Sequence, residues 1–218
     1  MGSGLKKLGD SLVERKIKNF DILVSHFHFD HTCGLPFFKP AYDPKCSFSI
    51  MAGKMLTRQD VQGVLNSQIT SPSFPITVSD FNANVKYVDF EIGEAIYLKD
   101  KKIKISTINL NHPDGAVGYR VEFEGKSICY ITDHEHLLGK RNDKLISFIR
   151  GANVLIYDST YNDENFNNYI GWGHSTWQEG TRLAQVAGVD KYFIYHHNPD
   201  NTDSVMRKIE KESKEISD

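Results

Sequence analysis

The polar residues of one short segment have the types and the spacing of metal ligands. The segment, residues 26–31, reads His-Phe-His-Phe-Asp-His and holds three of the nine histidines of the chain. Neutral imidazoles and a carboxylate suit zinc, whereas magnesium and calcium take oxygen ligands. A chance cluster of histidines directly behind a buried strand is improbable. The sequence therefore predicts a zinc site whose ligands come from this segment: His26, His28, Asp30 and His31.

The element before this segment must position the ligands. An apolar run leads straight into the first histidine, and side chains two apart in an extended chain lie on the same face. We therefore expect His26, His28 and Asp30 to share one face of an extended segment, with the rings of Phe27 and Phe29 packed on the other.

Two later residues stand at the ends of predicted strands. His112 follows the apolar run 103–110, and Asp133 follows the run 127–132. Alone, His112 would more often be a surface histidine and Asp133 a helix cap. Beside the histidine segment both become candidate ligands. His134 and His136 are then expected either next to the ligands or in solvent.

Length, charge and cysteine content limit the class of protein. The chain has 218 residues, enough for one domain over 1–218 with its own core. Its 26 Lys and Arg residues against 28 Asp and Glu residues exclude a global basic field for nucleic acid. Three widely spaced cysteines argue against a disulfide framework. With no membrane span and no signal peptide in evidence, we expect a soluble cytoplasmic protein and no membrane partner.

The pattern of apolar residues predicts an α/β protein. Strands are predicted over 20–25, 47–51, 85–90, 102–108, 119–124, 127–132, 154–157 and 191–195. A turn containing Gly125 predicts a hairpin between the fifth and sixth of them. Helices are predicted over 145–150, from Asp203 onward, and after a capping box formed by Ser175 and Gln178 and closed by Gly188. Strand-helix alternation in the later part gives the α/β class.

The H-x-H-x-D-H segment resembles the signature of the metallo-β-lactamase superfamily. Four later segments resemble that family in the same order: 110–113, 129–133, 173–176 and 195–199. The resemblance runs from Gly2 to about Asp203 and is closest to bacterial metal-dependent hydrolases that are similar to ribonuclease Z. It implies the αββα sandwich of the family. Relatives usually have several strands before the Gly-Ser-Gly at residues 2–4, so we expect a chain that lacks part of the N-terminal sheet.

Carried over residue by residue, the resemblance implies two metal ions. The first would bind His26, His28 and His112. The second would bind Asp30, His31 and His196, and Asp133 would bridge both. Period-2 alternation does not decide between His196 and its neighbour His197, whereas the resemblance favours His196. We expect two zinc ions, with manganese and iron as alternatives. Redox di-iron members of the superfamily resemble this motif but have a glutamate in the place of His28. The imidazole of His28 therefore favours hydrolysis over redox chemistry.

The resemblance also implies catalytic roles for Asp30, His174 and Asp158. Two zinc ions can hold a bridging hydroxide at neutral pH, and Asp30 would orient or deprotonate the water. His174 would protonate the leaving oxygen, held in place by Asp158 at the end of a predicted strand. The alternative is that His174 only helps to cap the helix that follows it or lies in a mobile loop after residues 162–169.

These residues predict a metal-dependent hydrolase, with a phosphodiesterase as the leading hypothesis. A thioesterase or lactonase on the same site, and a catalytically inactive metal-binding module, are the alternatives. The long basic arm by which ribonuclease Z grips transfer RNA is not evident in this sequence. We therefore expect a small or nucleotide-derived phosphodiester as substrate and no nucleic-acid partner. Lost strands would expose a sheet edge, so a homodimer is one expected assembly.

Overall fold

A parallel three-stranded sheet and a mixed six-stranded sheet organise the protein. The computed structural model describes residues 1–54 and 60–217. The chain divides into two compact units, Met1–Glu91 and Ile92–Asp218, each with its own sheet and apolar core. The single domain expected over 1–218 stays a prediction.

The first unit is built around three parallel strands. In chain order its elements are α1 (Gly4–Glu14), β1 (Asn19–Val24), β2 (Ser47–Gly53), α2 (Val61–Gln68) and β3 (Asn84–Phe90), with short 3-10 turns between them. The sheet order is β1-β2-β3, and both pairings are parallel. Helix α1 buries Leu5, Gly9 and Leu12, which share one face at helical spacing. The sequence pattern did not predict this helix.

The second unit combines a meander with strand-helix alternation. Its elements are β4 (Ile96–Leu98), β5 (Ile103–Leu110), β6 (Ala116–Phe123), β7 (Lys126–Ile131), α3 (Asp143–Ile149), β8 (Val154–Asp158), α4 (Trp177–Ala187), β9 (Tyr192–Tyr195) and α5 (Asp203–Ser217). Strands β4 to β7 pair antiparallel in sequence order, and β8 and β9 extend the sheet in parallel. The carboxyl ends of β7, β8 and β9 therefore lie at one edge of this sheet.

The structure confirms the predicted strands to within a few residues and adds the short β4. The hairpin between β6 and β7 is also confirmed, because Glu124 and Gly125 both have positive φ, 47° and 73°. The capping box at Ser175 is wrong by one residue. Thr176 is the N-cap and accepts the N–H of Glu179 at 3.1 Å, whereas the hydroxyl of Ser175 bonds to the side chains of His136 and Tyr157.

The described residues contain no helix with the length and apolar character that crossing a bilayer requires. Cytoplasmic localisation stays a prediction.

Candidate functional site

In the first unit the predicted ligands follow the end of β1. His26 is buried, and its Nδ1 lies 3.2 Å from the hydroxyl of Ser25. With Nδ1 engaged in this way, Nε2 is the ring nitrogen that can bind a metal. The ring of His26 lies 4.7 Å from that of His28 and 4.2 Å from that of His31, between centroids. The unit thus gathers three imidazoles in one place.

The segment itself is not extended as expected. Residues Phe29–His31 form a 3-10 turn, because the N–H of His31 donates to the carbonyl of His28 at 2.9 Å and the N–H of Thr32 to that of Phe29 at 3.0 Å. The prediction of a packed Phe29 ring is wrong, since this side chain is 74% exposed. The turn instead places Asp30 Oδ2 at 3.0 Å from His31 Nε2.

In the second unit four predicted site residues form a cluster. Asp133, Asp158, His174 and His196 each offer one ligand atom, and these atoms all lie within 4.8 Å of one another. His196 Nε2 is 3.6 Å from Asp133 Oδ2, and the rings of His174 and His196 are stacked 4.8 Å apart. Ligand bonds of 2.0–2.2 Å in a tetrahedron place neighbouring ligand atoms about 3.3–3.6 Å apart. The spacing of Asp133 and His196 therefore fits a divalent ion.

The two residues that follow β7 and β9 have an unusual backbone. Asp133 has φ of 51° and His196 has φ of 58°, in the left-handed region that few residues other than glycine adopt. Asp133 is 1% exposed, and the hydroxyl of Thr132 donates to its Oδ1 at 2.5 Å. That bond fixes the carboxylate so that Oδ2 is the oxygen next to His196.

Asp158 and His174 form a buried hydrogen-bonded pair. Asp158 is the last residue of β8 and is fully buried, and its Oδ2 lies 2.8 Å from His174 Nδ1. Its Oδ1 accepts the N–H of Thr160 at 3.1 Å, the hydroxyl of Thr160 at 3.0 Å and the N–H of Ser175 at 3.1 Å. Because an ionised carboxylate only accepts, Nδ1 of His174 is the donor and Nε2 is the nitrogen that can exchange a proton.

Thr160 connects this pair to His196 and was missed in the sequence. Its Oγ1 lies 2.7 Å from the carbonyl oxygen of His196 and 3.0 Å from His196 Nδ1. A hydroxyl that donates to a carbonyl or to Asp158 can accept from Nδ1–H. This tautomer leaves Nε2 of His196 as the unprotonated, ligating nitrogen. A threonine two residues beyond a strand carries no sequence signal for such a role.

Glu135 was missed as well, and it holds the loop before His174. Its buried carboxylate accepts the N–H of Gly171 at 2.7 Å and that of Gly173 at 3.0 Å. Gly173 has φ of 83°, and a Cβ there would clash with the ring of His112. The loop backbone therefore lies directly against His112, a predicted ligand that is itself buried.

The remaining histidines lie outside the ligand clusters found among the described residues. His134 Nδ1 accepts the N–H of Asn111 at 3.0 Å, and burial lowers the pKa of His134 to about 4, which keeps it neutral. His136 Nδ1 lies 2.7 Å from the hydroxyl of Ser175. Burial also lowers the pKa of His197. Taken unit by unit, the imidazoles and carboxylates that do cluster are the donors that divalent metals bind.

Comparison with known proteins identifies the family. The chain belongs to the beta-lactamase superfamily domain family, whose model matches residues 11–197. It has the metallo-β-lactamase fold. Ribonuclease Z of Sulfurisphaera tokodaii is 26% identical over 244 residues, covering 96% of this chain and 80% of that protein. Ribonuclease Z of Thermoplasma acidophilum is 34% identical over 82 residues, which span 37% of this chain but only 25% of that protein.

Solved structures share the fold at low identity. The metallo-beta-lactamase fold protein YhfI from Bacillus subtilis has a TM-score of 0.69 at 18% identity, covering 98% of this chain and 78% of that one. Zn(2+)-bound PqqB from Methylobacterium extorquens has a TM-score of 0.63 at 17% identity, over 91% and 69% of the two chains. The short form of human tRNase Z has a TM-score of 0.61 at 18% identity, over 82% and 73%.

These relatives overturn one expectation. A small-molecule substrate without a nucleic-acid partner was predicted from the net charge of -2 and the lack of an evident basic arm. That prediction is wrong, since the curated relatives are ribonucleases Z. Net charge is a sum over the whole chain and does not report the local groups that contact an RNA strand.

Proposed function

We propose that this protein is a metal-dependent ribonuclease that hydrolyses a phosphodiester bond of RNA, with transfer RNA as the first substrate class to test. The buried Asp158–His174 pair, set beside Asp133 and His196, is the observation that carries the proposal. The names of the relatives, ribonuclease Z and tRNase Z, point to the same substrate class.

The metal content belongs to the proposal. Two zinc ions, with manganese or iron as alternatives, would be bound by the seven residues that the family resemblance implies: His26, His28, Asp30, His31, His112, Asp133 and His196. The donor chemistry of each unit and the zinc-bound state of the PqqB neighbour support this assignment. When bound, such ions supply an activated water and stabilise negative charge on the phosphate.

Residues of the chain would orient the water and protonate the leaving oxygen. Asp30, exposed on its turn, orients the attacking water. His174 donates a proton from Nε2 to the leaving oxygen, while its Nδ1 stays bonded to Asp158. Asp158 moves little during this step because its other oxygen is held by three donors from Thr160 and Ser175. The alternative, that His174 only caps α4, has less support because Thr176 is the cap.

Replacement of His174 tests the role of general acid. His174→Ala should keep both metal ions by elemental analysis and lower kcat on RNA by on the order of 10²–10⁴-fold. The loss should shrink for a nitrophenyl phosphodiester, whose leaving group needs no proton. His197→Ala is the matched control and should keep both the ions and most of the activity. Equal small losses on both substrates for His174→Ala would exclude the role.

A further inference from the structure

A mainly apolar cavity lies in the first unit. Its lining comes from the loop that carries the predicted metal ligands and from residues 68–74. Its volume is about 210 Å³, below the roughly 300–1,000 Å³ of pockets for drug-sized ligands. Phe37 and Phe74 line it with rings in edge-to-face contact, 5.6 Å between centroids. Phe29 lines it too and is 74% exposed. The dimensions and the lining suit a single aromatic ring system.

One polar side chain among those that line this cavity has an unused hydrogen-bond acceptor. Gln68, at the end of α2, lines the cavity, and its side-chain amide nitrogen donates to the carbonyl of Phe27. A carbonyl only accepts, so this bond fixes which end of the amide is nitrogen. Its oxygen, Oε1, is buried and has no hydrogen-bond donor among the residues that the structure describes. A buried acceptor of this kind is costly unless a ligand supplies the donor.

Several residues that line the cavity are direct sequence neighbours of the predicted metal ligands. Phe29 stands between the predicted ligands His28 and Asp30, and Thr32 and Cys33, which also line the cavity, come directly after His31. No charged side chain of the described residues lines it. A phosphate would therefore find no partner inside, whereas an uncharged ring attached to that phosphate would.

We propose that this cavity binds an unpaired nucleobase of the RNA substrate, next to the phosphodiester that is cleaved. The base packs against Phe29, Phe37 and Phe74, and its exocyclic amino group donates to Gln68 Oε1. Single-stranded RNA is commonly recognised by aromatic stacking together with hydrogen bonds to base edges. The inference rests on the proposed ribonuclease function and adds the part of the substrate that this loop reads.

Equilibrium binding to the zinc-loaded full chain tests the proposal without turnover. The probes are adenosine and cytidine 5′-monophosphates, the analogue of each that lacks the exocyclic amino group, and ribose 5-phosphate, which has no base. Phosphate contacts are common to all five, so the ratios of Kd report the base. Ribose 5-phosphate should bind roughly 5- to 100-fold more weakly than the better nucleotide. Loss of the amino group should raise the Kd of that nucleotide roughly 3- to 10-fold.

Substitution of Gln68 tests whether its Oε1 atom causes the difference in Kd between the amino and the des-amino nucleotide. Gln68→Met keeps the size of the side chain and removes the acceptor, so the amino and des-amino nucleotides should bind this variant equally. Gln62→Met, at an exposed position of the same helix, is the matched control and should keep the wild-type preference. The Kd values of the nucleotides on the wild-type protein test the nucleobase site by themselves, so the proposal stays testable even if the variant does not fold.

The outcomes separate the inference from the proposed function. Kd values that are equal for nucleotides, des-amino analogues and ribose 5-phosphate on the wild-type protein would overturn the nucleobase site, even if the protein cleaves RNA. A preference for the amino nucleotide over its des-amino analogue that is lost in Gln68→Met would support the site, even if no RNA is cleaved, and the ribonuclease function alone would then fail. Self-association that depends on Phe37 and Phe74, without base-dependent binding, would assign the cavity to a second copy of the chain and overturn the proposal.

Discussion

At the residue scale, one hydroxyl connects the candidate general acid to a candidate metal ligand. Thr160 Oγ1 lies within 3.0 Å of both Asp158 Oδ1 and His196 Nδ1. The partner of the second ring nitrogen fixes the tautomer and orientation of a ligating histidine. We therefore propose that Thr160 is a positioning residue, which would act on a bound metal through His196 and on the candidate proton donor through Asp158.

Replacement of Thr160 by valine keeps the shape of the side chain and removes the hydroxyl. We expect the affinity for one of the two metal ions to fall roughly 10- to 100-fold, because His196 loses the partner of its Nδ1. Competition with a chromogenic chelator measures that affinity. Thr181→Val removes a buried hydroxyl that bonds to Trp177 of α4 and to Ser213 of α5 and should leave metal affinity unchanged. Equal affinities in both variants would contradict the role of Thr160.

Glu135 gives a second prediction at this scale. Glu135→Gln weakens the acceptor that holds the N–H groups of Gly171 and Gly173, so the loop before His174 should loosen. We expect kcat to fall on the order of 10-fold with metal content unchanged, because small displacements of an acid–base group are costly. Amide exchange at the two glycines should accelerate in parallel. Glu164→Gln, exposed on the same loop, is the control, and a matching loss there would refute the specific role.

The candidate site was predictable from sequence in its residue types and not in its hydrogen bonds. Spacing and position after strands indicated His26, His28, His112 and Asp133. The contacts of Glu135 with Gly171 and Gly173 join residues 36 and 38 positions apart. No local pattern indicates such contacts, since Glu and Thr occur throughout the chain and acquire their partners only through folding.

At the element scale, two local capping signals explain where helix α4 begins and where it ends. Thr176 caps the start of this helix. At its other end Gly188 adopts the left-handed conformation with φ of 64°, and its N–H bonds to the last turn. This helix was predicted almost correctly, because both signals are local.

Gly188→Ala should lower the free energy of unfolding by about 1 kcal/mol, since a side chain at positive φ is strained. The corresponding fall in Tm is roughly 2–4 °C for a chain of this length. Gly4→Ala, at the first position of α1, meets no atom within 4 Å and should leave Tm unchanged or slightly raised. Calorimetry of the two variants checks the contrast, and a neutral Gly188→Ala would count against the capping interpretation.

The elements that escaped prediction are those whose signals are weak or non-local. Helix α1 contains two glycines, which are weak helix formers, and one of its buried positions is Gly9, which lies against Phe38. Strand β4 has only three residues. The ligand segment was expected to continue β1, but hydrogen bonds between neighbouring residues wind it into a 3-10 turn. Alternation along a chain does not reveal such a turn.

At the scale of the whole molecule, the charge of the chain misled the choice of substrate. A net charge of -2 excludes a uniformly basic surface. Recognition of one unpaired base needs stacking and a hydrogen bond more than it needs charge. The family, by contrast, was identifiable from five short segments, because metal chemistry restricts which residues can stand at strand ends.

The central claim, a metal-dependent ribonuclease, is tested most directly by RNA cleavage as a function of bound metal. The full chain is stripped with a chelator, dialysed, and assayed on a precursor transfer RNA before and after addition of two equivalents of zinc. We predict no cleavage by the stripped protein, recovery as the second equivalent binds, and no recovery in Asp133→Ala, which lacks the proposed bridging ligand. Cleavage that persists without metal, or that is unchanged in Asp133→Ala, would contradict the account.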